Sequence, residues 1–300
     1  MRVSGFTILR NGVEFDFPFR ESILSALPIC DEFIVNVGVS TDGTRQALED
    51  FARALPSAGA SKVKLFESAW PLDDPEKRKG GAILSEQTNL ALERCRGDWC
   101  LYLQADEVLH EEDLPLLRRQ FEELDEPEAL VFRYVHFYGT YDVIQTSRSS
   151  YRREVRAIRN GRGIRSAGDA QGFRRGDGSK VEAVLTSARI FHYGWVRHQE
   201  IMRAKTGFMD TLYHPGASPD RPVTGDNYLY KRIVGLRPFR GTHPAVMRER
   251  VQNTPSFDFS KAPGVFHWKD TWKLLSGWIE RLTGHRLFEY RNYRLMKKKR

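Results

Sequence analysis

The chain opens with apolar runs separated by short polar turns. Val3 to Leu9 reads as a first strand, followed by a turn at Arg10-Asn11-Gly12. From Pro18 onward, Phe19, Ile23, Leu24 and Leu27 fall on one face at helical spacing, and Pro28 ends the run. Phe33 to Val37 predicts a second strand, ending in the capping-rich turn Gly38-Val39-Ser40-Thr41-Asp42-Gly43-Thr44. Ala47, Leu48, Phe51, Ala52 and Leu55 then mark a second helix, and Val63 to Phe66 a third strand. A loop from Ser68 to Gly81 leads to a third helix, Ala82 to about Arg94. This alternation implies a parallel sheet with right-handed crossovers.

Trp99 to Leu103 is a continuous apolar or aromatic run, as a central strand covered on both faces requires. Asp106 and Glu107 follow at its carboxyl end, where open α/β sheets place their ligands. A carboxylate there can hold a divalent cation that grips phosphate oxygens. Beyond it, Glu111 to Leu124 predicts an exposed helix and Ala129 to Phe137 a strong strand. The pattern then loosens, with short strands expected near Arg152 to Arg159 and Ala183 to Phe191, and a helix over Arg197 to Leu212. Pro215 to Pro222 holds three prolines and reads as a linker. The expected organisation is therefore a catalytic domain over 1–214 and a partly helical, aromatic and basic extension over 223–300.

Composition narrows the class. At 300 residues, 40% hydrophobic and 29% charged, the chain can bury a core and does not read as disordered. No apolar run approaches the roughly 20 residues of a membrane span, and the N-terminus enters a strand pattern without a signal-peptide core. Three cysteines with no paired-thiol motif suit a reducing cytoplasm. The net charge of +8 favours acidic partners: phosphorylated substrates, anionic lipid or nucleic acid. Nucleic acid ranks last, because no zinc-finger spacing or RNA-binding aromatic signature accompanies the charge. The basic tail Lys297-Lys298-Lys299-Arg300 and the late aromatics add an anionic membrane surface as an expected partner, so a peripheral position is the second expectation beside the cytoplasm.

The motifs converge on one resemblance. The first strand, the Ser40-Thr41-Asp42-Gly43-Thr44 turn, Asn89 in the third helix, and Gly97-Asp98-Trp99 leading to Gln104-Ala105-Asp106-Glu107 resemble family 2 glycosyltransferases. The resemblance implies the GT-A fold, a Rossmann-like, mostly parallel sheet flanked by helices. It also implies a nucleotide-diphospho-sugar donor, a divalent metal (Mn²⁺ or Mg²⁺) and inversion at the anomeric carbon. Two departures stand out. Gln104 occupies the first position of the family's usual Asp-x-Asp, and Val37-Gly38 stand where acids often end the second strand.

Carried over residue by residue, the resemblance makes Asp106 a metal ligand, with Glu107 either a second ligand or a helix-start acid. It implies a late histidine at the metal; His192, in Ile190-Phe191-His192-Tyr193, is the first candidate and His267 its rival. Donor contacts are expected from Arg10, Asn11, Asp42, Lys79, Asn89 and Gln104. Asp42 also reads as a helix cap, and Lys79 as a phosphate ligand beside a helix N-terminus. Asp169, a lone acid in a basic, glycine-rich stretch, is the candidate base for the acceptor hydroxyl. Two other functions compete: a sugar-nucleotide nucleotidyltransferase, which lacks its usual glycine-rich basic loop here, and a non-catalytic nucleotide-sugar-binding protein, which Gln104 favours.

Overall fold

A computed structural model describes residues 1–214, 230–254, 257–259, 261–266, 268, 270–284, 286–287 and 289–296. The Pro215–Pro222 linker, His267 and the Lys297–Arg300 tail lie outside the described residues. Alternating strands and helices fill the first third: β1 (Val3–Leu9), α1 (Phe19–Ala26), β2 (Glu32–Gly38), α2 (Thr44–Ala54), the single turn α3 (Ser57–Ala60), β3 (Val63–Ser68), the single turn α4 (Pro75–Arg78) and α5 (Ala82–Leu92). Next come β4 (Trp99–Tyr102), β5 (Glu107–Leu109), α6 (Leu114–Glu123), β6 (Ala129–Tyr138), β7 (Thr140–Gln145) and β8 (Arg153–Arg159). The rest comprises β9 (Ile164–Ala167), β10 (Gly172–Arg175), β11 (Val181–Trp195), α7 (Gln199–Tyr213), β12 (Leu236–Pro238), α8 (Arg248–Asn253), α9 (Asp270–Thr283) and β13 (Tyr293–Leu295).

One sheet organises them. Its path runs β12-β7-β6-β8-β4-β1-β2-β3, with β11, β13 and β5 attached beside β6. β3, β2, β1 and β4 are parallel, as the sequence pattern predicts. Beyond β4 the sheet is mixed: β8 is antiparallel to both β4 and β6, whereas β11 is parallel to β6. The expected α/β architecture therefore holds, with its parallel pairings in the first half and on either side of β11, against β6 and β13.

Strand alternation sends consecutive side chains to opposite layers. Val3 and Leu9 of β1, with Trp99, Leu101 and Leu103 around β4, join the layer packed by Phe19 and Ile23 of α1, Leu48 of α2, and Leu117 and Phe121 of α6. Phe6 and Ile8, with Cys100 and Tyr102, join the other layer, against Ala91 and Leu92 of α5. Close approach is needed at Gly97, where a Cβ would lie 2.6 Å from the Ser4 backbone nitrogen. The strands described beyond α7 join this same sheet. β12 pairs with β7, and β13 runs parallel to the start of β11.

Candidate active site

β4 ends at Tyr102, and the chain turns through Gln104 to Asp106 before β5 begins. β5 lies antiparallel on β11, with Glu107 opposite His192, and His192 in turn faces His136 of β6. The Tyr193 backbone N–H donates to the Asp106 carbonyl at 2.8 Å, which ties the acidic turn to β11. Gly194 keeps the space between them open: a Cβ there would lie 2.6 Å from His192 Nε2 and 3.1 Å from Asp106 Oδ2.

Asp106 is 5% exposed and ringed by cations. Lys205 Nζ of α7 donates to its Oδ2 at 3.1 Å and to the Gly194 carbonyl at 2.9 Å. Arg197 Nη2 stands 3.7 Å from Oδ2, buried and without a hydrogen-bond partner among the described residues. Arg197 is fixed by donating to the carbonyls of Phe15, Tyr193 and Gly194. Burial opposes charge on Asp106, but Lys205, with Arg197, outweighs it and holds the carboxyl well below the usual range. Burial, reinforced by Arg197, lowers Lys205 to about 8.

The histidines have a definite proton arrangement. The Tyr151 carbonyl can only accept, so His136 Nε2 carries the proton in that bond. Burial, then His192, lowers His136 to about 3, so the ring is neutral and its Nδ1 is an acceptor. His192 Nδ1, 3.0 Å away, must then donate. Burial lowers His192 to about 4 although Asp106 opposes it, so its Nε2 is a bare lone pair. That lone pair faces Asp106 Oδ1 at 3.8 Å. Two acceptors aimed at one point need a cation or a proton donor between them.

Asp106, His192 and Lys205 open onto a cavity of about 530 Å³. Of the residues expected at the site, it brings together Arg10, Gln104, Asp106, Asp169 and His192. Asp169 sits in the turn of the β9–β10 hairpin, where its Oδ1 accepts from the Gln171 N–H and its Oδ2 from Tyr213 at 3.4 Å. Most of the remaining wall is aromatic or apolar, including Phe15, Phe17, Trp70, Tyr151, Phe208 and Tyr213, with Gln171, Thr206, Asp210 and His214 among its polar members.

Four expected donor contacts do not line it. Asp42 turns both oxygens to its own backbone: Oδ2 accepts from the Val13 and Glu14 N–H groups, and Oδ1 from the Thr44 N–H and hydroxyl. Asn11 donates to Glu14, and its N–H is taken by Ser40. Lys79 is exposed in a 3₁₀ turn, while the neighbouring Arg78 is buried and reaches the Thr211 carbonyl. Asn89 of α5 grips Ser166 of β9 at both its N–H and its carbonyl, so it positions the hairpin carrying Asp169. Glu107, the alternative second ligand, is fully buried and taken by Arg156 Nε and Nη2 at 2.7 and 2.8 Å, with Tyr134 donating at 2.7 Å. It has no oxygen left for a ligand.

Sequence reading missed Lys205, Arg197, His136 and Tyr151. Lys205 lies 99 positions from Asp106 and carries no motif. His136 could have been suspected as the polar interruption of an apolar strand.

The glycosyl transferase family 2 model matches residues 20–178, just over half of the chain and including β4 and Asp106. The chain belongs to glycosyl transferase family 2. No curated protein sequence matches it significantly. Crystal structures of S. aureus TarS are among the solved structures that match the chain. TarS 1–349 in complex with UDP-GlcNAc shares 19% identity over 46% of this chain and 36% of that one, with a TM-score of 0.35. TarS 1–349 alone, and the same protein in complex with UDP, each share 14% identity over 71% of this chain and 65% of theirs, at 0.40. The chain thus spans less than two thirds of those relatives. At such identity and score nothing about this chain's ligands follows from them.

Proposed function

We propose that this family 2 member transfers a sugar from a nucleotide-diphospho-sugar to an acceptor hydroxyl, with inversion. The observation that carries the reading is the pair of facing acceptors, Asp106 Oδ1 and His192 Nε2, at the cavity end of β4. A carboxylate and a neutral imidazole are suitable ligands for Mn²⁺ or Mg²⁺. The clearance at Gly194 and the proton arrangement of the two histidines fit such an ion. Among the described residues no cluster of three or more His, Cys, Asp or Glu is placed to hold a metal. Among the described residues, Asp106 and His192 are the ones that would hold it. When bound, the metal would neutralise charge on the departing diphosphate, worth several kcal/mol.

The chain's own residues do the rest. Lys205 and Arg197 add positive charge beside the same carboxylate. The apolar and aromatic walls exclude water and offer ring faces to a nucleoside. Arg10 and Gln104 stand on the same cavity as polar contacts for the donor. Asp169 takes the proton of the acceptor hydroxyl. As it does, the acceptor oxygen bonds to the anomeric carbon from the face opposite the diphosphate, and the bond to the diphosphate oxygen breaks. A positioned base of this kind typically contributes roughly 10²–10⁴ in rate.

The test is turnover of a panel of nucleotide sugars with Mn²⁺, against Asp106→Asn and Asp169→Asn. Asp106→Asn should lose on the order of 10³-fold or more in turnover. Asp169→Asn should lose turnover while donor binding stays within about twofold. Wild-type rates in Asp106→Asn or in excess chelator would sink the metal assignment. The orphaned Arg197 Nη2 and the Lys205 ammonium favour a second reading, in which these two cations stabilise the diphosphate without a metal. Chelator-resistant transfer that Lys205→Met abolishes would select it.

A further inference from the structure

α9 packs with its polar side inward. Asp270, Lys273, Ser276 and Glu280 recur at helical spacing on the face turned to the protein. Asp270 and Ser276 are buried, and Lys273 pairs with Asp270 at 2.8 Å. Glu280 accepts from Arg152 at 2.9 Å and Arg286 at 2.7 Å. The opposite face carries Leu274, Leu275, Trp278 and Leu282, all exposed, with Trp278 at 60% and Leu282 at 67%. Trp272 flanks them, and Phe266 and Trp268 lie exposed just before the helix. A helix at a protein surface ordinarily turns its apolar stripe to the core and its charges to water. The reversal places a contiguous apolar patch on the outside, where something must cover it.

Charge around the patch is just as one-sided. Asp270, Glu280 and Glu289 are the acidic residues from 270 to the end of the chain. Each is neutralised from within: Asp270 by Lys273, Glu280 by Arg152 and Arg286, and Glu289 by Arg152 and Arg291. Arg281, on α9 itself and beside its apolar face, is exposed and makes no ion pair among the described residues. A second copy laid on this face would bring Arg281 toward its own like charge. An anionic headgroup layer meets Arg281 with opposite charge and the Trp and Leu side chains with its acyl boundary.

We infer that α9 lies flat on an anionic bilayer surface, with Trp278 and Leu282 inserted at the headgroup level and Arg281 against lipid phosphates. No helix among the described residues is long and apolar enough to cross a membrane, so the contact is interfacial. The inference uses no residue of the cavity and stands apart from the transferase reading.

The full chain should co-sediment with vesicles of phosphatidylcholine mixed with phosphatidylglycerol. It should bind pure phosphatidylcholine at least about tenfold less, and added salt should release it. The double substitution Trp278→Glu, Leu282→Glu should weaken vesicle binding by about tenfold or more. Both side chains are exposed, so the variant should melt within a few degrees of the parent, and its circular dichroism reports that control. Binding that ignores the double substitution, or absence of binding to the mixed vesicles, overturns the proposal. A dimer in sedimentation velocity that the same substitution splits, without vesicle binding, overturns it in favour of a second copy.

Discussion

Two neighbouring acids at the end of one strand have opposite fates. Asp106 points into the cavity, and Glu107 points into the protein between β11 and β8. Both are buried and both meet arginine, yet only one is fully matched. Arg156 meets Glu107 with a two-pronged contact, Tyr134 donates to it, and the Gln104 N–H closes the shell. Asp106 has one hydrogen-bonded ammonium, a guanidinium held off at 3.7 Å and an imidazole lone pair at 3.8 Å. A buried charge whose bonding capacity is exhausted is architecture. One that is over-supplied with field and under-supplied with bonds is ready for a ligand.

The contrast can be broken at its sealed side first. Glu107→Ala leaves Arg156 buried without its partner and should cost roughly 3–5 kcal/mol of stability. Urea unfolding would measure it, and a loss near zero would erase the distinction drawn here. Acid should act more gently on the open side. His192 and His136 sit at about 4 and about 3 in the folded chain, against an ordinary 6.5. Protonation therefore favours the unfolded chain, and stability falls as pH drops from 6.5 toward 4. At pH 5 the loss is roughly 2 kcal/mol per histidine. Paired melts at pH 7 and pH 5 for the parent and His136→Gln should show the variant losing less; equal losses would refute the neutral pair. The smallest expected effect is at Asn89. Asn89→Ala removes two hydrogen bonds to Ser166 and should cost about 1–2 kcal/mol. It should lower kcat through the displaced Asp169 hairpin while the donor KM barely moves. An unchanged kcat would make the contact purely structural.

Much of the frame was legible because it follows from local pattern. β1, α1, β2, α2, β3, α5 and β4 all fall within a few residues of where apolar spacing puts them, and Asp106 stands where the strand run stops. The site was less legible, for reasons of geometry. Alternation alone cannot say which of two consecutive acids faces a cavity before the flanking strands are known. Asp42 has the right turn chemistry for a ligand, but its oxygens are taken by N–H groups of a loop some thirty positions earlier. Arg197 reaches Asp106 from just before α7 and Lys205 from its middle turns, with no motif to mark either. β5 and the β9–β10 hairpin are too short for periodicity to register.

The return of the C-terminal segment has a further consequence. Tyr293 is buried against β11, Asn292 accepts from Arg174, and Glu289 holds Arg152, one residue from the cavity wall at Tyr151. The final strand is thus a clasp on a sheet laid down more than a hundred residues earlier. Truncation after α7, however natural it looks in the primary structure, would strip that clasp and leave backbone N–H and C=O groups along β7 and β11 free to recruit foreign strands. Shortened versions should be judged by their aggregation before any loss of chemistry is assigned to the missing piece.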